Sequence, residues 1–230
     1  MATETENKEM ALAMAKAGVL YGHKKTKTHP RMKPYIGGRR NEIELLDPET
    51  SLVSIEKAAE FLKQKMKEGG LVLFVGTRPA AKDAILALAN SFNAPYVTFR
   101  WLGGILTNFK VLRQRSSYYQ DLKARQEKGE LSKYTKKEQL DFAKEIGKMS
   151  RMFDGLELLT RLPDALFVVD IEEHETAVRE ARRLHIPIVA ILDTNDDPRQ
   201  VEYPILANDH AKSSVEWVIE ALKKGISEGV

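Results

Sequence analysis

The segment from Tyr21 to Arg40 carries the side chains best suited to bind a polyanion. It contains seven lysines and arginines and no acidic residue, so its formal charge is +7. Lysine and arginine neutralise phosphates, and tyrosine rings and guanidinium planes stack on unpaired bases. Prolines and glycines predict that the segment is irregular. The candidate contacts are His23, Lys24, Lys25, Lys27, His29, Arg31, Lys33, Tyr35, Arg39 and Arg40.

A second basic stretch runs from Lys110 to Arg151, with twelve basic and six acidic residues. The whole chain has a formal charge of only +3, so the residues outside the two stretches together carry −10. Such separation of charge predicts a basic face that binds a polyanion. Within the second stretch, Lys110, Arg113 and Arg115 lie close together with no acid between them, whereas other bases there can pair with acids one helical turn away.

A group of carboxylates follows the apolar run at residues 187–192: Asp193, Asp196, Asp197 and Asp209, with His210 beside the last. At the carboxyl edge of a parallel sheet, such side chains could hold Mg²⁺ or another hard cation. The same residue types also form turns and helix N-caps. Both interpretations stay open, and the candidate metal ligands are Asp193 and Asp209.

The chain has no cysteine, which excludes disulfides, thiolate zinc sites, iron–sulfur clusters and cysteine nucleophiles. His23 and His29 have no third partner at metal-ligand spacing, so we expect them to form hydrogen bonds or to contact phosphate. No hydrolase triad or metalloprotease motif occurs. We therefore expect a protein that is not an enzyme.

One alternative is a nucleotide- and metal-binding α/β enzyme that uses the turn at Gly76–Arg78, with Asp193 and Asp209 as metal ligands. This turn follows an apolar run and opens a helix, as phosphate-binding loops do. It matches neither glycine-rich phosphate motif, however. A tight strand-to-helix turn is the simpler interpretation.

Apolar runs and amphipathic segments alternate along most of the chain. This alternation predicts an α/β fold with an open parallel sheet and helices on both faces. The predicted strands are 71–75, 95–99, 165–169 and 187–192, and the predicted helices are 48–67, 79–90, 173–184 and 211–224. No run reaches the roughly 18 to 20 apolar residues of a membrane span, and the acidic, polar start does not resemble a signal peptide. We expect a cytoplasmic protein without a membrane partner.

The alternation stops between residues 104 and 156. Apolar residues recur there at steps of three and four in two segments, separated by a polar stretch with a glycine. This spacing predicts an antiparallel helical hairpin that is inserted into the α/β domain and protrudes by roughly 30 Å. The predicted organisation is an N-terminal segment with a short helix at 1–20, an α/β domain at 21–103 and 157–230, and the hairpin at 104–156.

Several strings resemble the motifs of bacterial small-subunit ribosomal protein two, in the same order as in that family. The resemblance covers nearly the whole chain, from about residue 10 to residue 226. The strings are Ala17–His23, His29–Tyr35, Phe74–Arg78, Arg100–Phe109, Pro163–Asp170 and Ile191–Asn195.

The resemblance implies a flavodoxin-like sheet with a protruding hairpin and no catalysis. It also implies a protein that binds 16S ribosomal RNA as a monomer within the small ribosomal subunit. Its neighbours there would include the large messenger-binding ribosomal protein one, which it helps to retain. Carried over to this chain, the additional RNA-facing candidates are Arg100, Trp101, Asn108, Lys110, Arg113 and Arg115.

Two positions depart from the family pattern. The family usually has a histidine where this chain has Leu20, so any metal or RNA role of that histidine is absent here. The family's usual threonine is replaced by Ile105, which we interpret as a packing change. We expect no cofactor, with a structural Mg²⁺ or Zn²⁺ ion as the open alternative.

Overall fold

Strands and helices alternate along the chain in the computed structural model, which describes residues 4–227. Residues 1–3 of the predicted N-terminal segment and residues 228–230 of the predicted α/β domain lie outside the described residues. The helices are α1 (Glu4–Ala17), α2 (Pro48–Lys67), α3 (Pro79–Ser91), α4 (Phe109–Glu127), α5 (Lys136–Phe153), α6 (Glu175–Arg183) and α7 (Lys212–Ser227). The strands are β1 (Tyr21–Lys24), β2 (Ile36–Arg40), β3 (Ile43–Leu46), β4 (Val72–Val75), β5 (Tyr96–Val97), β6 (Ala165–Val169), β7 (Ile188–Leu192) and β8 (Tyr203–Leu206).

Five parallel strands form the main sheet in the order β5-β4-β6-β7-β8. This is the flavodoxin-like order, in which the chain reverses direction across the sheet beside β4. All residues of β4, β6 and β7 are buried, because apolar clusters cover both faces of the sheet. Phe74 and Phe167 belong to the cluster on one face, and Leu73 and Leu166 belong to the other. The predicted α/β fold with an open parallel sheet is confirmed.

The basic segment is more regular than expected. It forms β1 and β2, which pair with β3 in a small antiparallel sheet, and two short 3₁₀ helices lie between β1 and β2. Asn41 and Glu42 both have positive φ angles, of 48° and 66°, and connect β2 to β3. A two-residue hairpin loop of this kind needs positive φ at both positions. The prediction of an irregular loop is therefore wrong, since the hairpin supplies strand pairing that the glycines of β2 do not predict.

Two strands of the main sheet also differ from expectation. The predicted strand at 95–99 is shortened to Tyr96–Val97, and β8 was not predicted. Proline at position 204 argues against a central strand, but β8 pairs only with β7 and lies at the edge of the sheet. Proline is tolerated at such an edge.

The stretch between β5 and β6 contains α4 and α5, which contact each other and are joined by residues 128–135. The Tyr119 hydroxyl donates a hydrogen bond to Asp154 Oδ1 at 2.5 Å. Thr135 and Glu138 cap the start of α5 reciprocally. The protrusion of this pair and its bounds at 104–156 stay predictions.

The positions that depart from the family pattern are both packed in the interior. Leu20 belongs to the apolar cluster on one face of the sheet, and Ile105 belongs to the cluster on the other face. Among the described helices, none has the length and apolar character that crossing a membrane requires.

Candidate nucleic-acid interface

The basic segment is fastened to the carboxyl edge of the main sheet by backbone hydrogen bonds. The His23 amide donates to Thr194 Oγ1 at 2.8 Å, and the His29 amide donates to the Thr194 carbonyl at 2.8 Å. Thr194 follows β7 and is fully buried. Gly22 makes this approach possible, because a Cβ atom there would lie 2.3 Å from Thr194 Cγ2. The segment is therefore held in place by the sheet.

The lysines and arginines of the segment point into solvent. Lys24 lies 4.0 Å from Glu42, and Arg31 pairs with Asp197. Among the described residues, the other five have no acidic partner within 4.0 Å. The exposed bases are Lys24, Lys25, Lys27, Arg31, Lys33, Arg39 and Arg40.

The other three predicted RNA contacts of the segment, the side chains of His23, His29 and Tyr35, contact groups of the protein. His23 Nδ1 lies 3.0 Å from Asp193 Oδ2, and His29 Nδ1 accepts a hydrogen bond from the Arg31 amide at 3.3 Å. Tyr35 is half-buried against a small apolar cluster. These three side chains position the segment, and their contact with RNA stays a prediction.

Glu180 of α6 organises a second loop, at residues 101–107. Its carboxylate accepts hydrogen bonds from Trp101 Nε1 at 3.1 Å, from the amides of Gly104 (2.8 Å), Leu106 (3.1 Å) and Thr107 (3.0 Å), and from the Thr107 hydroxyl. Burial raises the pKa of Glu180, but these hydrogen bonds lower the pKa by more, so that it lies below its usual value. Sequence reasoning missed Glu180, although it lies on the apolar stripe of α6.

The predicted basic residues next to this loop are exposed. Lys110, Arg113 and Arg115 have no acidic partner within 4.0 Å among the described residues, whereas Arg125 further along α4 pairs with Asp121 at 3.8 Å. A cavity of about 300 Å³ is lined by residues that include Arg100, Trp101, Asn108, Val111 and Arg115.

Phe99, beside the predicted Arg100, is 49% exposed. Sequence reasoning placed it in a strand and missed it as a surface residue. It adds an accessible ring to a basic surface, where rings can stack on bases.

Four buried aspartates lie behind the basic segment, at the carboxyl ends of β6, β7 and β8. Asp170 forms an ion pair of 2.6 Å with Arg78. Burial, with the charges of Asp170 and Asp193, raises the pKa of Asp209 to about 9. Burial also raises the pKa of Asp196, to about 7. Asp209 is therefore protonated at neutral pH, so the four aspartates do not all carry a negative charge there.

The capping alternative applies to some of these carboxylates. Asp193 Oδ1 accepts from the Thr194 amide at 2.6 Å, and Asp197 caps the following 3₁₀ helix. At the start of α7, however, Asn208 accepts from the amides of His210 and Ala211, and the described contact of the Asp209 side chain is with the His210 ring. Asp209 is therefore not the cap that its position suggested.

The turn at Gly76–Arg78 offers no open cradle for a phosphate. The Thr77 amide lies 3.3 Å from His174 Nε2, and the Arg78 guanidinium is held by Asp170. A Cβ atom at Gly76 would lie 2.8 Å from Ile85 Cγ1, so this glycine allows α3 to pack on β4. The geometry favours the tight-turn interpretation over the nucleotide-binding alternative.

Comparison with known proteins shows which family this chain belongs to. Residues 14–229 match the family described as Ribosomal protein S2. The small ribosomal subunit protein uS2 of Coprothermobacter proteolyticus is 40% identical over 94% of this chain and 81% of that protein. The proteins of the same name from Salinispora tropica and Dictyoglomus thermophilum are 42% and 41% identical over 94% of this chain, and over 74% and 88% of their own lengths. The chain belongs to the ribosomal protein S2 family.

Proposed function

We propose that this protein is a structural constituent of the small ribosomal subunit that binds 16S ribosomal RNA through its basic segment. The observation that carries the proposal is the set of seven exposed bases on a small sheet and on the two 3₁₀ helices between its strands, which are anchored to the main sheet. A fixed array of cations neutralises phosphates and releases their counterions without first having to be ordered.

The loop ordered by Glu180 and the start of α4 form the second part of the proposed interface. Arg100 follows β5 and the basic segment contacts the residue after β7, so both parts lie at the carboxyl edge of the same sheet. Arg115 and the exposed Phe99 can hold phosphates and stack on bases, respectively. The proposed interface therefore extends along this edge of the sheet.

Retention of neighbouring proteins, including the large messenger-binding protein one, is part of the same proposal. An apolar groove of about 400 Å³ supports it, since residues of α1, α2 and α7 that include Met10, Leu52, Ile55 and Trp217 line this groove. Grooves of this kind are typical of surfaces that bind proteins. When the chain is displaced from the subunit, we expect the messenger-binding protein to leave with it.

As a member of a family of structural ribosomal proteins, this protein is not an enzyme. The nucleotide-binding alternative also lacks a free phosphate cradle at Gly76–Arg78.

The proposal is tested by reversing three charges of the basic segment, in the variant K24E/K25E/K27E. These side chains are exposed, so we expect the fold to be unaffected and incorporation into small subunits to be lost. Incorporation is measured by sedimenting lysates through sucrose gradients at low and high salt. Immunoblots follow this protein and the messenger-binding protein in the same fractions.

The matched control is K57E/K67E/K82E, which makes the same change of charge at three exposed lysines of α2 and α3. We expect this control to sediment with small subunits, as the unmodified protein does, and both variants to keep the circular dichroism and melting temperature of the parent. Normal incorporation of K24E/K25E/K27E would contradict the proposal.

A further inference from the structure

The cavity between the loop at residues 101–107 and the helices α4 and α5 has the size and lining of a site for one flat ring. Its volume of about 300 Å³ lies at the lower end of the range for small-molecule sites. Apolar side chains make up most of its lining, among them Leu102, Leu112 and Phe153. We propose that this cavity binds one unpaired nucleobase of the RNA. This inference rests on the proposed function and adds to it a contact with a base.

Trp101 supplies a stacking ring that the fold holds in one orientation. The ring lines the cavity and is half-buried. Its Nε1 atom donates a hydrogen bond to Glu180 at 3.1 Å, and Glu180 also accepts hydrogen bonds from three amides of the same loop. Stacking on aromatic rings is the usual way in which proteins bind unpaired bases. A ring that is already fixed loses little conformational freedom when a base stacks on it.

Gly103 lines the cavity and carries no side chain, although the fold does not require a glycine there. Gly103 lacks the positive φ of its neighbour Gly104, which is 92°. A Cβ atom at Gly103 would meet no heavy atom within 4 Å, so packing does not exclude a side chain. Glycine also occurs where a ligand approaches the backbone closely. The missing side chain leaves room for a bound group.

Asn108 brings a side-chain amide to the lining of the cavity. Asparagine at a helix N-cap usually accepts a hydrogen bond from the first turn of the helix. The Asn108 side chain makes no such bond to α4, and it is exposed. An amide group offers both donors and acceptors, which are the groups that recognise the edge of an unpaired base.

The charges around the cavity favour RNA over an apolar side chain of a neighbouring protein. Arg100 and Arg115 both line the cavity and are exposed, and no acidic residue is part of its described lining. A nucleotide within an RNA strand has a phosphate on either side of its base. Two arginines can neutralise these phosphates while the base enters the apolar interior.

The test follows Trp101 while the full chain binds a fragment of 16S RNA. The chain contains two tryptophans, so labelling with fluorotryptophan gives two fluorine NMR resonances, and W101F identifies that of Trp101. We expect RNA to shift this resonance, because a stacked base changes the magnetic environment of the ring. Trp217 packs against the other face of the main sheet, and its resonance should not move.

The variant G103L narrows the cavity without removing a charge. Because stacking on one base is lost, we expect RNA affinity to fall by about 5- to 150-fold and the shift of the Trp101 resonance to disappear. The slope of log affinity against log salt concentration should equal that of the parent, since no phosphate contact is removed. V111W adds a ring at an exposed cavity residue of α4 and provides a second variant should G103L unfold.

The matched control is G147L, at an exposed glycine of α5 that does not line the cavity. A Cβ atom at Gly147 also meets no heavy atom within 4 Å. We expect G147L to bind RNA as the parent does. Circular dichroism and melting temperatures check that all variants are folded.

Two results would overturn the inference while RNA still binds. One is a Trp101 resonance that bound RNA leaves unmoved, which would assign the cavity to a side chain of a neighbouring protein. The other is RNA binding by both G103L and V111W that is as tight as that of the parent. If the parent does not bind the RNA fragment at all, the proposed interface fails together with the base site. The two failures are therefore distinguishable.

Discussion

At the scale of single residues, the position of the basic segment depends on the contact between Gly22 and Thr194. The sequence shows the charges of this segment but not what holds it, because Gly22 and Thr194 are separated by 172 positions along the chain. A glycine beside charged residues is typical of any turn. Its role becomes visible only when the approach of β1 to the end of β7 is known.

We expect G22A to lower the free energy of unfolding by about 1–3 kcal/mol, as overpacking of a close contact does. The new Cβ atom would lie 2.3 Å from Thr194 Cγ2 and 2.7 Å from Thr194 Oγ1, and β1 must shift to avoid it. Urea unfolding of the full chain measures the change. The additional T194A substitution removes both atoms, so G22A should cost less in that background than in the parent.

The matched control for this prediction is G38A, in β2. A Cβ atom at Gly38 would meet no heavy atom within 4 Å. We expect G38A to leave the free energy of unfolding nearly unchanged. Equal costs for G22A and G38A would show that the contact with Thr194 does not hold the segment.

At the scale of elements, the sequence predicts the buried parts of the fold better than its edges. The strands β4, β6 and β7 are wholly apolar because helices cover both faces of the sheet, and such runs are recognisable without a structure. The edge strand β8 contains a proline, and β2 reads Ile-Gly-Gly-Arg-Arg. Both strands form because each has a partner strand to pair with. The partner of β8 is β7, and the partner of β2 is β3, which follows a two-residue turn.

The candidate site, too, is only partly predictable from the sequence. Its exposed lysines and arginines are evident as a run without acids, whereas Glu180 resembles one of the many charged residues on helix surfaces. The structure buries this carboxylate and surrounds it with donors from residues 101–107. Pairing between a helix and a loop more than seventy positions away is a tertiary contact that local patterns do not encode.

We expect E180Q to lower the free energy of unfolding at pH 7 by about 2 kcal/mol, because two of the amide donors would face an NH₂ group instead of an oxygen. The pKa of Glu180 is lower in the folded state than its usual value of 4.5. Its stabilising effect is therefore complete above about pH 4.5 and is lost as the pH falls through the folded-state pKa. Urea unfolding between pH 7 and pH 3 should show the parent and E180Q converging at the acidic end.

The control is E175Q, which alters an exposed glutamate of the same helix that pairs with Arg179 on the surface. Exposed ion pairs of this type contribute little. We expect E175Q to differ from the parent by less than about 0.5 kcal/mol across the same pH range. A pH-independent cost of E180Q would contradict the assigned role of the carboxylate charge.

At the scale of the whole molecule, the small net charge of +3 conceals a strong asymmetry. The basic segment carries +7, and unpaired bases at the start of α4 lie at the same carboxyl edge of the sheet. The remaining surface is acidic on balance. An arrangement of this kind would orient the molecule on the RNA that we propose it binds, because the field attracts phosphates to one edge and repels them elsewhere.

This asymmetry predicts how RNA affinity depends on salt. Each phosphate neutralised on single-stranded nucleic acid contributes about 0.7 to the slope of log affinity against log salt concentration. Removing three contacts should therefore reduce the slope by about two. We expect this reduction both for K24Q/K25Q/K27Q in the basic segment and for K110Q/R113Q/R115Q in α4, measured with the full chain and a fragment of 16S RNA.

The control K57Q/K67Q/K82Q removes three charges that are also exposed, from α2 and α3, and should keep the slope of the parent. The comparison separates a localised interface from a general effect of net charge, because all three variants change the total charge by the same amount. Equal slopes for the control and the two interface variants would mean that overall charge governs the binding of RNA. An unchanged slope for K110Q/R113Q/R115Q alone would confine the interface to the basic segment, with the start of α4 facing away from the phosphates.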